Sequence, residues 1–213
     1  MIITYHGKQF FKISQGDTAI AINPLSKDNT LKIKPTKFGS DVALCTTRHL
    51  NYDGFENTEY NEKIPFRIYG PGSYEVDGNS YTGFLSKALI DEKEYINTIY
   101  FFTLEGISFC FLGNISDPKE ISEKTKEYIE SVDVIFVPIG GGETLDPVQA
   151  SKAIKAFAPK VVIPMDYGKD RDKNSLSTFL KEMSSKTTAE PKYVFKKSDL
   201  DTLNGHVVVL DVQ

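Results

Sequence analysis

The stretch TTRHLNYDGF, residues 46–55, follows the apolar run Val42-Ala43-Leu44-Cys45 and carries an imidazole, a phenol and a carboxylate close together: His49, Tyr52 and Asp53. Imidazole and carboxylate bind zinc at about 2.0–2.2 Å, and a catalytic zinc keeps one position open for the water it acidifies. Tyr52 offers a proton donor. Each residue also has an ordinary use: His49 as a hydrogen-bonded loop histidine, Asp53 as a helix cap or turn former, and Tyr52 as a packed ring with one hydrogen bond. The other two histidines, His6 and His206, fall in the first and last strand-like runs, far from this loop in sequence, and read as structural or exposed. Gly140-Gly141-Gly142 could grip an anion through backbone N–H groups, but without the Lys-Ser/Thr of a nucleotide loop an ordinary turn is favoured.

These residues need a frame to hold them. The first part of the chain reads as β: IITYHG, QFFKIS and TAIAINP, then a small meander at PFRIYG, GSYEV and NSYTGF, then NTIYFFTL and ISFCFLG joined at Glu105-Gly106. The second part adds helices. SDPKEISEKTKEYIE carries an N-cap signal at Asp117-Pro118 with Glu120 closing a capping box, and Ile121, Thr125, Tyr128 and Ile129 on one face. LDPVQASKAIKAFAP repeats that start with Asp146, Pro147 and Gln149, and a third helix fits SLSTFLKEM. Strands VDVIFVPI and KVVIPMDYG flank the second helix, and KYVFKK and HVVVLDV close the chain. This order predicts an α/β architecture of two mixed sheets packed together with helices outside.

With 213 residues, 40% of them hydrophobic, the chain is long enough to bury a full core and is expected to be one domain over residues 1–213. The formal charge of −4, from 25 basic and 29 acidic residues, gives no general attraction to phosphate backbones or anionic membranes. Neither nucleic acid nor membrane is an expected partner. The start MIITYHGKQFF has no signal-peptide pattern and no apolar run approaches bilayer length, so a cytoplasmic location is expected. Cys45 and Cys110 each sit in an apolar run and read as buried thiols.

Several landmarks, taken in order, resemble the metallo-β-lactamase superfamily: ITYHGKQFFKI, AINP, PGSYEV, FLGNI, VDVIFVPIGG and VVIPMDYG. The likeness is to its small single-domain hydrolases of the ascorbate-6-phosphate lactonase kind, and it runs from Met1 to about Gly168. It implies a four-layer αββα sandwich. It also implies two zinc ions held by a His-x-His-x-Asp-His loop, a later histidine, a bridging aspartate and a final histidine. On this sequence the loop motif falls on Thr47, His49, Asn51 and Tyr52, the bridging aspartate on Asn114 and the final histidine on Asp166. The middle histidine belongs near Ala88, yet no histidine lies between His49 and His206. Only His49 matches.

The departures share a physical sense. Three expected aspartates read as Asn23, Asn51 and Asn114, and amides keep size and hydrogen bonding without the mutual repulsion of carboxylates that lack a cation. Lys8 stands where the resemblance has a histidine and could bring an ammonium towards Asp166. With Asn23 it would form the surroundings of the cleft. The expectation is therefore a metal-free site in a binding, scaffold or regulatory module, with a small anionic ligand or a protein as partner. The alternative is a hydrolase of a small lactone or phosphoester, using metal-free acid–base groups or one zinc or other divalent ion on His49 and Asp166. If the site is metal-free by composition, chelator will leave the melting temperature unchanged. An ion held at a thousand times its dissociation constant would instead contribute about 4 kcal/mol, so a fall of several degrees in a thermal melt with chelator would contradict the expectation.

Overall fold

A computed structural model describes residues 1–60, 62–130, 132–168 and 172–213. It contains the two mixed sheets. The first has six strands, β1 (Ile2–Tyr5), β2 (Phe11–Gln15), β3 (Thr18–Ile22), β4 (Val42–Leu44), β5 (Phe66–Ile68) and β12 (Tyr193–Val194), in the order β12-β1-β2-β3-β4-β5. The second has seven: β6 (Gly72–Val76), β7 (Asn79–Ile90), β8 (Lys93–Leu104), β9 (Ile107–Phe111), β10 (Val134–Pro138), β11 (Val161–Met165) and β13 (His206–Val207). Their order is β13-β11-β10-β9-β8-β7-β6. Strands β3, β4 and β5 run parallel, as do β9, β10, β11 and β13, so the carboxyl ends of each parallel set gather along one edge of their own sheet.

Alternation along the strands explains why the sheets stack. Phe11 and Ile13, Ile20 and Ile22, Phe109 and Phe111, and Val134 and Phe136 point inward into one continuous core. The rings mesh across it, Phe11 meeting Phe136 edge-on at 4.8 Å between centroids and Phe111 at 6.0 Å. Each such fully buried side chain contributes about 1.5–3 kcal/mol. The intervening residues Cys110, Ile135, Val137 and Val162 face outward, where α1 (Glu123–Ile129), α2 (Pro147–Phe157) and α3 (Ser175–Glu182) cover them through Ile129, Ala150, Ile154 and Phe179. The outer face of the six-stranded sheet is capped differently. Phe10, Ala21, Ala43 and Cys45 lie under Leu25, Leu31, Ile33 and Phe38 of an irregular segment and under Phe55 of a 3₁₀ turn. Among the described residues the three α-helices lie over the seven-stranded sheet, and the layer of the αββα sandwich outside the six-stranded sheet is loop and 3₁₀ turn. No helix among the described residues is long and apolar enough to cross a membrane.

Three expectations need correction. PFRIYG, GSYEV and NSYTGF are not one meander, because β5 pairs in parallel with β4 while β6 belongs to the other sheet. Asp117 and Pro118 start only a 3₁₀ turn, Pro118–Glu120, and the helix proper is capped by Ser122, whose hydroxyl accepts from Thr125 N–H. Ile121 is buried outside the helix, and Tyr128 is partly exposed against Phe84 and Phe101. Finally, β7 runs on to Ile90, so Ala88 sits within a long hairpin. The Asp146 capping box stands as read, with Pro147 at the first helical position.

His6 is structural and buried. It lies between Phe10 and Phe38, at 5.1 and 5.2 Å between ring centroids, with Thr4 Oγ1 3.1 Å from Nε2. Burial, with the charge of Lys12 adding to it, holds its pKa down to about 4. In the unfolded chain the imidazole titrates near pH 6.5. Between those values the unfolded state binds the extra proton, so the stability that neutral His6 contributes is complete above about pH 6.5 and drains away towards pH 4. Urea unfolding at pH 7 and pH 4.5 should show a loss of about 2–3 kcal/mol from this residue, and His6→Leu should remove that part of the slope.

Candidate functional site

The two sheets bring their strand ends together at one edge, and a polar seam closes it. Lys8 and Gln9 lie in the turn between β1 and β2, Asn23 follows β3, Thr46 and Thr47 follow β4, Asn114 comes after β9 and Asp166 directly follows β11. Lys8, Asn23 and Asp166 all hold left-handed backbone, at φ 56°, 49° and 62°. Such conformations are uncommon outside glycine and concentrate where surrounding structure over-determines them. Here the determinants are visible. Lys8 C=O accepts from Asp166 N–H at 2.8 Å and from Tyr5 OH at 2.8 Å, and Lys8 Nζ reaches Asp166 Oδ1 at 2.9 Å, the two side chains being 6% and 1% exposed. The ammonium also lies 5.7 Å from the centre of the Tyr52 ring.

Beside this ion pair runs a chain of amides. Thr46 N–H donates to Asn23 Oδ1 at 2.8 Å, which turns Asn23 Nδ2 towards Thr46 Oγ1 at 2.9 Å and Gln9 Oε1 at 3.1 Å. Gln9 Nε2 therefore faces Asn114 Oδ1, at 3.2 Å, and Tyr52 OH donates to the same oxygen at 2.8 Å. Asn114 Nδ2, fully buried, has no hydrogen-bond partner among the described residues. On the second sheet Asn97 Oδ1 accepts from Asn114 N–H at 2.9 Å and Thr47 OH at 3.3 Å, while Asn97 Nδ2 donates to Leu112 C=O and Ser86 Oγ. Gly113, at φ 68°, makes this approach possible, since a Cβ there would lie 2.3 Å from Asn97 Oδ1.

The residues singled out by sequence thus divide. Asn23, Tyr52 and Asn114 join one network, Thr47 reaches it through Asn97, and Lys8 pairs with Asp166. Asn51 turns away, accepting from Thr30 N–H and Oγ1. His49 sits at the rim, half-buried, its Nδ1 accepting from Asn51 N–H at 3.2 Å and its ring edge-on to Tyr95. Burial lowers its pKa, helped by Lys8 and opposed by Asp91 and Glu143. Asp53 caps nothing and pairs instead with Arg48, with burial raising its pKa. An open cleft at these positions is not what forms, because Lys8, Asn23, Tyr52, Asn114 and Asp166 are all buried. Gln9 and Asn97 escaped notice in the sequence. The available signal for Asn97 was a lone amide inside the strand run YINTIYFF.

The remaining candidates are structural. Gly141 and Gly142 form a left-handed turn, and the first free N–H groups of α2 already bond the Asp146 carboxylate. His206 is exposed on β13. Cys45 and Cys110 are buried thiols whose pKa values burial pushes well up.

Two zinc ions of the kind the resemblance implies need several free lone pairs around one point. Among the described residues no three His, Cys, Asp or Glu side chains gather so as to hold a metal ion. Asp166 already bonds an ammonium, Asn114 Oδ1 already accepts twice, and the group left unpaired, Asn114 Nδ2, is a donor. The residues present do not fit a dinuclear centre. They do form a structural seam, and Asn97 is its hinge point on the second sheet. Asn97→Ala should lose about 2–4 kcal/mol in urea unfolding by leaving buried groups unpaired, whereas Asn51→Ala, outside the seam, should lose about 1 kcal/mol.

Comparison with known proteins places this architecture. A family model for the beta-lactamase superfamily domain matches residues 2–166. The chain is 26% identical over 210 residues to a UPF0173 metal-dependent hydrolase of Sulfurisphaera tokodaii, covering 84% of this chain and 90% of that one. A protein of the same name from Geobacillus thermodenitrificans is 27% identical over 198 residues, with 78% and 85% covered. Among solved structures, a metallo-beta-lactamase superfamily protein from Thermotoga maritima superposes with a TM-score of 0.74 at 24% identity, covering 100% of this chain and 99% of that one. The metallo hydrolase Igni18 from Ignicoccus hospitalis gives 0.61 at 20% identity, covering 92% and 99%. The paired mixed sheets and the match over residues 2–166 lead to one conclusion: this chain belongs to the metallo-β-lactamase superfamily.

Proposed function

We propose that this chain is a metal-independent member of its superfamily, serving as a binding, scaffold or regulatory module and not as a dinuclear hydrolase. The observation that carries this reading is the double donation to Asn114 Oδ1 from Gln9 and Tyr52. An oxygen that bridges cations must direct its lone pairs at them, and here N–H and O–H hydrogens occupy that space. The buried seam leaves binding to the outer surface or to the rim around His49, where an anionic small molecule or a protein segment would meet the half-buried imidazole.

A hydrolase acting on a small lactone or phosphoester is the second reading, favoured by the name metal-dependent hydrolase that the relatives carry. It would rest on His49 and Asp166 with one metal or with acid–base chemistry alone, and two protein ligands are fewer than the three that catalytic zinc normally has. The test is elemental analysis of protein purified without chelator or a histidine tag, together with assays on a lactone and an activated phosphodiester with and without added zinc. Metal far below one equivalent and no turnover above a heat-denatured control are expected. Metal near one equivalent that survives dialysis, or turnover abolished by Asp166→Ala, would establish the second reading instead.

A further inference from the structure

The misfit between this site and a metal centre has its sharpest expression in Lys8. Its ammonium meets Asp166 at 2.9 Å with both side chains almost wholly buried, and its backbone is held in the left-handed region by two hydrogen bonds to its own carbonyl. Asp166 is equally fixed, one residue past β11 and also left-handed. A buried carboxylate needs a nearby positive charge or strong hydrogen bonds. In a metal centre that charge comes from an ion. We infer that Lys8 is a tethered counter-cation: it neutralises the carboxylate at the end of β11 from within the chain and thereby shuts divalent cations out of this edge of the sandwich. The inference rests on the metal-independent reading above and adds the residue that enforces it.

Geometry gives Lys8 the reach for this role. Its ammonium lies 5.7 Å from the centre of the Tyr52 ring while it bonds Asp166, so it fills the space beside that carboxylate in which a bound cation would have to sit. A divalent ion there would share a buried space with an ammonium, and the repulsion between positive charges a few ångströms apart opposes the attraction of the single carboxylate.

The test uses substitutions that the backbone tolerates. Asparagine accepts left-handed φ, so Lys8→Asn and Asp166→Asn remove charge with little added backbone strain, and Lys8→Arg keeps the charge. In the full chain, each asparagine variant should lower the folding equilibrium constant by about 100-fold or more, and the double variant should lose far less than the product of the two. Calorimetric titration with zinc alone should show Lys8→Asn binding at least about 10-fold more tightly than the parent, with Lys8→Arg indistinguishable from the parent. Additive losses in the cycle overturn the inference. So does a folded Lys8→Asn protein with zinc affinity equal to that of the parent. Either failure leaves the metal-independent reading standing, since that reading falls only if the unaltered protein holds metal or turns over substrate.

Discussion

One backbone N–H sets the orientation of the whole seam. Thr46, at the end of β4, must place its amide proton on an acceptor, and Asn23 Oδ1 supplies it. From there each amide has only one way to face, through Asn23 Nδ2 and Gln9 to Asn114 Oδ1. Tyr52 completes the arrangement by donating to an oxygen whose role is already decided. A network anchored this way fixes which atom of each amide donates and which accepts. It helps to specify one register between the strand ends of the two sheets, a task that the non-directional packing of the core between them does not perform.

The same edge solves an electrostatic problem. Placing Asp166 beyond the end of a fully buried strand is costly unless a positive group meets it, and the turn between β1 and β2 delivers Lys8 from the opposite sheet. The ion pair and the amide chain lie side by side and together tie β1, β3 and β4 to β9 and β11. Superfamily membership fixes the scaffold on which this happens, whereas the chemistry depends on the side chains at the edge. Those side chains form a seam, and a seam of this kind has stability and specificity of pairing as its first product.

What was legible in the sequence follows the range of the forces involved. The Asp146-Pro147-Gln149 start of α2 is a local device and reads true. Asp117-Pro118 is a local start signal too, yet it opens only a 3₁₀ turn, and the helix begins five residues later behind Ser122, which the sequence reading passes over. The placement of β5 in the first sheet and β6 in the second depends on non-local pairing, which short apolar runs do not encode singly. At the site, the approach of Lys8 to Asp166 was readable once the chain was aligned with its superfamily, because strand order fixes which ends meet. Asn51 falls on the motif position, but its amide bonds Thr30, 21 residues away in sequence, a pairing that motif spacing does not encode. Gln9 and Asn97 were silent because a single amide beside apolar neighbours looks like surface until its partners are seen.

The left-handed backbone at Asn23 and Asp166 has a bearing on how such a site changes over generations. Asparagine, aspartate and histidine are the non-glycine residues that this conformation tolerates best. Their codons differ only at the first base. A lineage can therefore exchange a charged ligand, a neutral amide and an imidazole at these positions by single nucleotide steps, each compatible with the same main chain. Such a step adds little backbone strain at these positions, and its cost to the fold is set instead by whether the charge it adds or removes has a buried partner of opposite sign, as Asp166 has in Lys8.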